Sequence, residues 1–162
     1  MSAILSILTL LALIYQLYLQ RIHNEKSVKP LVQIDLTDNS ERLIFLHVQN
    51  NGVGPFIAEK LLLFKDGQVY YNIKDCLSLS ARDYQHVAIS ESVNKVIAPG
   101  AYLEVFSKQF DIKAADIEID DLRRQLAAIK LKVEGRDIYD NKIAVERELT
   151  WFVRHHKHDQ HE

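Results

Sequence analysis

The chain has 162 residues, of which 48% are hydrophobic and 26% are charged, and its formal net charge at pH 7 is −2. This composition is ordinary for a globular protein, and the charge excludes a general attraction to nucleic acid, so we expect no nucleic-acid partner. Without the apolar start and the charged end, about 120 residues remain, which is enough for one domain and too few for two.

The chain begins with an almost unbroken apolar run over residues 3–19, followed by the cations Arg21, Lys26 and Lys29. A helix needs about 20 mostly apolar residues to cross the hydrocarbon of a bilayer, so residues 1–22 are predicted to form a transmembrane anchor. A cleaved signal peptide and a buried or interfacial helix are the alternatives. The signal peptide is disfavoured because no Lys or Arg precedes the run and bulky residues follow it.

The positions of the cations predict the orientation of the anchor. Lys and Arg concentrate on the cytoplasmic side of membrane helices, and here they follow the apolar run, mostly within a predicted juxtamembrane linker, residues 23–29. We therefore expect a single-pass protein of the inner membrane whose C-terminal domain is cytoplasmic. Cys76, the only cysteine, cannot form a disulfide within the chain, which agrees with a reducing compartment.

Four polar residues of the anchor, Ser6, Thr9, Gln16 and Gln20, together with Leu13, lie on one side of a helix. Small and amide side chains form hydrogen bonds across transmembrane interfaces, so this stripe predicts association with another helix or a second copy of the chain. In the alternative, the Ser and Thr hydroxyls bond their own helix backbone and the glutamines reach the membrane surface.

From residue 30 onward the dominant period is two, which predicts half-buried strands. Val32 and Ile44 begin two such alternations. A third strand over residues 57–65 contains four consecutive apolar residues, which predict burial on both of its faces. Asp66-Gly67 predicts a hairpin turn, leading to a short segment over residues 68–72.

Later strands are predicted over residues 84–90, 101–108, 129–134 and 143–153. Residues 73–83 are predicted as either a helical turn or a loop, and a short helix is predicted to begin at Asp120 or Asp121. Seven or eight strands without regular crossover helices indicate an antiparallel β-sandwich over residues 30–154. The expected fold class is thus mainly β, with one N-terminal transmembrane helix and one short helix.

Three turns carry a resemblance to a known group of proteins. They are Asn50-Asn51-Gly52-Val53-Gly54-Pro55, Ala98-Pro99-Gly100 and Asp137-Ile138-Tyr139-Asp140-Asn141, and Lys29-Pro30 opens the first strand. In this order they make the chain resemble uncharacterised bacterial single-span membrane-anchored proteins. The resemblance covers residues 30–153 and implies an immunoglobulin-like sandwich, but no catalytic residue or ligand.

The chain departs from that group at two positions. Phe56 stands where alanine is common, and Asn141 stands where glycine is common. The second departure is mild, because Asn tolerates a left-handed φ.

The glycine-bearing loop after the second strand invites comparison with a phosphate-binding loop. It lacks the Lys-Ser/Thr of a nucleotide loop, and it leads into a strand rather than a helix. We therefore predict a structural role for the turn residues of all three motifs. These residues are Gly52, Gly54, Pro55, Pro99, Gly100, Asp140 and Asn141.

The chain offers two weak candidates for a metal site. A tail over residues 155–162, predicted to be disordered, contains His155, His156, His158 and His161. A terminal charged run supplies no rigid ligand geometry, so metal capture there is the weaker interpretation. The carboxylates of Asp116, Glu118, Asp120 and Asp121 miss the spacing of a calcium loop, and negative charge at a helix start explains them. We expect no metal and no cofactor.

Aromatic side chains on the predicted strands form a candidate recognition surface. They are Phe45, Tyr70, Tyr71, Tyr102 and Phe106. Strands favour aromatic residues in any case, so the alternative is that these rings have no binding role. His47 and His86 also lie on strand patterns and are expected to face solvent or a partner.

The sequence contains no Gly-x-Ser-x-Gly elbow, His-Glu-x-x-His, Cys-x-x-Cys or lysine-bearing phosphate loop, so we predict that the protein is not an enzyme. The first hypothesis is a membrane-anchored binding or scaffold module that presents a protein-interaction surface at the cytoplasmic face of the membrane. The alternative is a membrane effector or sensor subunit that acts by clustering its transmembrane helix. An unrecognised hydrolase would need a deep polar pocket with perturbed titrating groups.

Overall fold

The computed structural model describes residues 2–39, 42–80, 83–86 and 94–157. Within these residues the chain forms one long N-terminal helix, nine strands, a second helix and two 3₁₀ segments. The helices are α1 (Ser2–Ser27) and α2 (Asp116–Ala127), and the 3₁₀ segments are Ile73–Asp75 and Leu149–Lys157. The strands are β1 (Val32–Asp38), β2 (Leu43–Asn50), β3 (Phe56–Lys65), β4 (Gln68–Tyr70), β5 (Gln85–His86), β6 (Lys95–Ile97), β7 (Tyr102–Gln109), β8 (Lys130–Arg136) and β9 (Lys142–Glu148).

The strands form two antiparallel sheets. The first sheet has the order β1-β2-β7-β5, and in the second β4 and β6 both pair with β3, which is followed by β8 and β9. These orders match strands A-B-E-D and C-F-G of an immunoglobulin domain, with β4 added beside C. The predicted immunoglobulin-like sandwich is therefore confirmed.

Alternating side chains of the two sheets form the core. Ile44, Leu46 and Val48 of β2 are fully buried, and Leu131 and Val133 of β8 are buried with them. This is the pattern expected when one face of each strand packs against the opposite sheet. The predicted hairpin at Asp66-Gly67 is also confirmed, since both residues have a positive φ, 50° and 75°.

Strand β3 is less buried than its run of apolar residues predicts. Leu61 and Leu63 are buried, but Leu62 and Phe64 are only half-buried, so the prediction of burial on both faces is wrong. Among the described residues, no second layer lies over the outer face of Leu62 and Phe64. Lys132 pairs with Leu62, and Lys130 pairs with Phe64. The aliphatic stems of the two lysines are suited to cover part of the apolar surface of Leu62 and Phe64.

Two elements near the C-terminus differ from the predictions. The last strand ends at Glu148, and a 3₁₀ segment begins at Leu149, because Leu149 and Phe152, three residues apart, are both buried. Helix α2 begins at Asp116, earlier than predicted, and its buried residues are Ile119, Leu122 and Leu126. The early acidic residues thus lie in its first turn, where negative charge is stabilising.

Candidate functional site

Helix α1 is the first candidate functional element. Its segment Ala3–Ser27 is long and apolar enough to span a membrane, and none of its most apolar stretch is buried by the rest of the described structure. The structure therefore excludes a helix buried in the protein core. The helix also continues through residues 23–27, so most of the predicted linker is helical.

A short segment, residues 28–31, joins α1 to β1, and we call it the strap. The three turns singled out in the sequence lie at the same end of the sandwich as the strap, and we call this the helix-proximal end. Val32, which follows the strap, pairs with Asn50, and the Gly100 N–H donates to the Asn50 carbonyl at 2.8 Å. Arg136, which precedes the β8–β9 turn, pairs with Ile57 at the start of β3 and with Lys142 of β9. The turns at residues 50–55, 98–100 and 137–141 thus lie together.

Asn50 holds this end together through its side chain. It is fully buried, and its amide makes four hydrogen bonds. Its Oδ1 accepts from the N–H groups of Leu31 (3.2 Å) and Gly52 (3.0 Å). Its Nδ2 donates to the carbonyls of Gly54 (2.7 Å) and Ile97 (3.0 Å). One side chain therefore joins the strap, the loop and strand β6.

Gly52 and Gly54 permit the strap to lie directly on the loop. A Cβ atom at Gly52 would come within 2.3 Å of the Leu31 nitrogen, and one at Gly54 within 1.6 Å of the Val28 carbonyl oxygen. Neither glycine has a positive φ, so close approach of the backbone, and not turn geometry, requires them. Hydrogen bonds from Asn51 N–H to the Leu31 carbonyl (2.8 Å) and from Val53 N–H to the Lys29 carbonyl (3.3 Å) fix the contact.

The other two turns differ in where they place a left-handed residue. Gly100 has φ 73°, as its turn motif predicts. In the β8–β9 turn the positive φ, 64°, lies at Asp140 and not at Asn141, so the expectation of a left-handed Asn141 is wrong. Asn141 instead donates hydrogen bonds to Asp137, through its N–H (3.0 Å) and its Nδ2 (2.9 Å).

Asp137 is a buried carboxylate at the base of this turn. Its Oδ1 also accepts from the Tyr139 N–H at 2.8 Å. Burial alone would raise the pKa of Asp137, but the hydrogen bonds from Asn141 and Tyr139, with the charge of Lys29 nearby, hold that pKa below its ordinary value. The carboxylate is therefore ionised at neutral pH, and its oxygens are already used within the turn.

A groove of about 470 Å³ separates the last turns of α1 from the β8–β9 turn. It is lined by Glu25, Lys26, Lys29, Pro30, Asp137 and residues 141–144. Glu25 pairs with Arg21 at 3.3 Å, and Asp137 is engaged as described. Lys26, Lys29 and Lys142 form no ion pair with any described residue, so the groove presents net positive charge.

A second candidate surface lies on the outer face of the first sheet. The ring of His47 stacks on Phe45 with centroids 4.5 Å apart, and Tyr102 contacts His47 at 5.2 Å and Phe45 at 5.6 Å. We call these three residues the aromatic patch. Asp35 lies beside it, with Oδ2 3.8 Å from His47 Nε2, and His47 Nδ1 is buried without a hydrogen-bond partner among the described residues.

The patch contains only two of the five aromatic residues predicted to share a surface. Tyr71 is exposed beyond the end of β4, Tyr70 is half-buried, and Phe106 is fully buried, so the prediction of an exposed Phe106 is wrong. The cause is a β-bulge opposite Leu46 and His47. The extra residue, Val105, shifts the alternation of β7, so that Val105 and Phe106 both face the core.

The remaining candidates show no assembled site. Within the part of the chain that the structure describes, no group of three or more His, Cys, Asp or Glu side chains is placed to hold a metal ion. The side chains of His155 and His156, and all of His158 and His161, lie outside the described part. Burial raises the pKa of Cys76 to about 11, so its thiol is not reactive at neutral pH.

None of the protein-family models compared with the chain matches it. No curated protein matches it significantly either. The resemblance carried by the three turns therefore stays a prediction, although the structure places their residues at a common location.

Proposed function

We propose that the protein is a membrane-anchored, non-enzymatic binding module that presents a protein-interaction surface at the cytoplasmic face of the inner membrane. The observation that carries this proposal is α1, an exposed apolar helix of membrane-spanning length attached by a four-residue strap to a folded sandwich. Tethering confines the sandwich to the bilayer surface, where a weak contact suffices because the effective concentration is high. The cations that follow the apolar run support the cytoplasmic side.

The aromatic patch is the surface that we propose for the protein partner. Aromatic residues are enriched at protein interfaces, tyrosine is enriched among the few residues that dominate binding energy, and Tyr102 is 58% exposed. The carboxylate of Asp35 lies at the edge of the patch, with Oδ2 3.8 Å from His47 Nε2. A partner with an apolar anchor and a neighbouring hydrogen-bond donor fits this surface.

Extraction of the full-length protein in mild detergent, followed by identification of the proteins that co-purify, tests this proposal. The double variant Phe45→Ala/Tyr102→Ala is expected to weaken partner binding at least about 25-fold, since two interface aromatics at more than about 1 kcal/mol each contribute more than about 2 kcal/mol together. Tyr71→Ala is the matched control, because Tyr71 is exposed but lies outside the patch. Equal recovery with both variants would contradict a binding role for the patch.

A second candidate function, clustering through α1, is favoured by the state of the anchor's polar side chains. The Thr9 hydroxyl already donates to the Leu5 carbonyl of its own helix at 2.8 Å. The amides of Gln16 and Gln20 have no hydrogen-bond partner among the described residues, and in hydrocarbon such amides gain by pairing across helices. Cross-linking in the same extracts should show fewer dimers for Gln16→Leu/Gln20→Leu, and unchanged dimers for Thr9→Val.

A further inference from the structure

Apolar side chains project from the helix-proximal end without any described residue covering them. Val53 at the tip of the 50–55 loop is 67% exposed, Ile138 and Tyr139 at the tip of the β8–β9 turn are 51% and 42% exposed, and Leu31 in the strap is 60% exposed. Turn tips in water are usually polar, and an exposed apolar set at one end of a domain marks a contact site.

The geometry of α1 places this set close to the membrane surface. The apolar run ends near Ile22, and the helix rises about 8 Å from Ile22 to Ser27. Each head-group layer is about 5–7 Å thick, so the last turns of α1 cross it. The β8–β9 turn lies across the groove from Glu25 and Lys26, which belong to these turns. With α1 along the bilayer normal, the base of this turn, at Asp137 and Asn141, lies level with the head groups, and Ile138 and Tyr139 form its exposed tip.

The strap leaves the sandwich little freedom to move away from this position. Four residues span at most about 14 Å when fully extended, and residues 29 and 31 are hydrogen-bonded to the 50–55 loop. Other exposed apolar residues lie at the opposite end of the sandwich, such as Ile112, which is 89% exposed. The length of the strands separates them from the bilayer.

The charges of the groove match an anionic lipid surface. Lys26, Lys29 and Lys142 form no ion pair with a described residue, whereas the two carboxylates of the groove are engaged by Arg21 and by the β8–β9 turn. Lysines beside an anionic membrane add attraction to lipid phosphates, and apolar and tyrosine side chains next to them suit the interface.

We propose that the helix-proximal end is itself a membrane-contact face, seated on the anionic surface of the bilayer that α1 crosses. Val53, Ile138 and Tyr139 enter the interface, and the three lysines hold lipid phosphates. The sandwich then has a fixed orientation on the membrane, and its aromatic patch faces sideways along the bilayer. This inference rests on the proposed anchoring by α1.

The test uses the full-length protein in lipid nanodiscs that contain phosphatidylcholine and phosphatidylglycerol with nitroxide-labelled lipid. An environment-sensitive fluorophore is attached to Ile138→Cys, to Ile112→Cys as the matched control, or to Leu11→Cys as the anchor reference. The buried Cys76 thiol, with its raised pKa, is expected to stay unlabelled, and the wild-type protein checks this. Strong quenching at positions 11 and 138 with little at 112 supports the proposal.

Three other outcomes overturn the proposal, and they separate the contact face from the anchor. Quenching at position 11 alone would support the anchor and contradict the contact face. Quenching at position 138 that occurs only after other cellular proteins are added would also contradict a direct contact with lipid. No quenching at 11 or 138 would refute the anchoring and the contact face together. In the Ile138→Cys protein, position 138 is either in contact with the lipid surface and quenched, or away from it and unquenched. Lys142→Gln is expected to lower the equilibrium constant for contact about fivefold in anionic discs. An unchanged equilibrium there would refute the role of the lysines.

Discussion

Replacing Asn50 with alanine is expected to lower the free energy of unfolding by about 3 kcal/mol or more. The substitution removes an amide that makes four hydrogen bonds in a fully buried position. It also leaves the carbonyls of Gly54 and Ile97 without this partner, and unsatisfied buried polar groups cost about 1–3 kcal/mol each. The effect is large because these groups belong to three different segments.

Urea unfolding of the full-length protein in mild detergent measures this loss, with Trp151, the only tryptophan, as the fluorescent probe. The matched control is Asn51→Ala, which removes only an exposed hydrogen bond to Gln33 at 3.4 Å and should change the free energy by less than about 0.5 kcal/mol. If the two variants unfolded at the same urea concentration, Asn50 would not organise this end of the sandwich.

Replacing Gly54 with alanine is expected to detach the strap from the sandwich. The new methyl group would lie 1.6 Å from the Val28 carbonyl oxygen, a backbone atom that can yield only if the strap moves. Overpacking of this kind costs about 1–3 kcal/mol, and movement of the strap also breaks its hydrogen bonds to the 50–55 loop. The helix and the sandwich would then be joined by a loose segment.

Trypsin cleavage after Lys26 reports the state of the strap, since proteolysis follows the population of the open form. We expect the cleavage rate to rise about tenfold for each 1.4 kcal/mol by which the substitution destabilises the attached strap. Gly67→Ala is the control, because it adds the same methyl group at a glycine with a positive φ and open space around it, so it strains the backbone without touching the strap. It should lower overall stability by about 1–2 kcal/mol without faster cleavage after Lys26. Similar cleavage of both variants would show that the strap is not held by the loop.

Much of the fold could be predicted from the sequence because its strands alternate regularly. Ile44, Leu46 and Val48 repeat with a period of two, and the structure buries all three. Turn chemistry is equally informative at Asp66-Gly67 and at Gly100, where residues of positive φ are required. Such signals are local, so one sequence is enough to detect them.

The features that the sequence did not predict depend on contacts between distant segments. The bulge that buries Phe106 arises where β7 meets β2, and no local pattern at Phe106 indicates it. Gly52 and Gly54 lie in a turn, as predicted, but the reason for them, the strap lying on the loop, involves residues more than 20 positions away. The available signal is two glycines beside an asparagine in a loop that needs no positive φ, and it can be interpreted only when the packing is known.

The anchor itself is predicted by length and composition, and the structure adds that α1 does not pack into the sandwich core. The aromatic patch is predicted only in part. Phe45 and Tyr102 meet because their strands are neighbours in the first sheet, and strand order is a property of the whole fold.

Fractionation of lysed cells that produce the full-length chain tests the central claim most directly. After an alkaline carbonate wash, which releases peripheral proteins, we predict that the intact chain stays in the membrane pellet and that a variant lacking residues 2–22 moves to the supernatant. Recovery of the intact chain in the supernatant, or of a shortened chain without its leading helix, would contradict anchoring by α1.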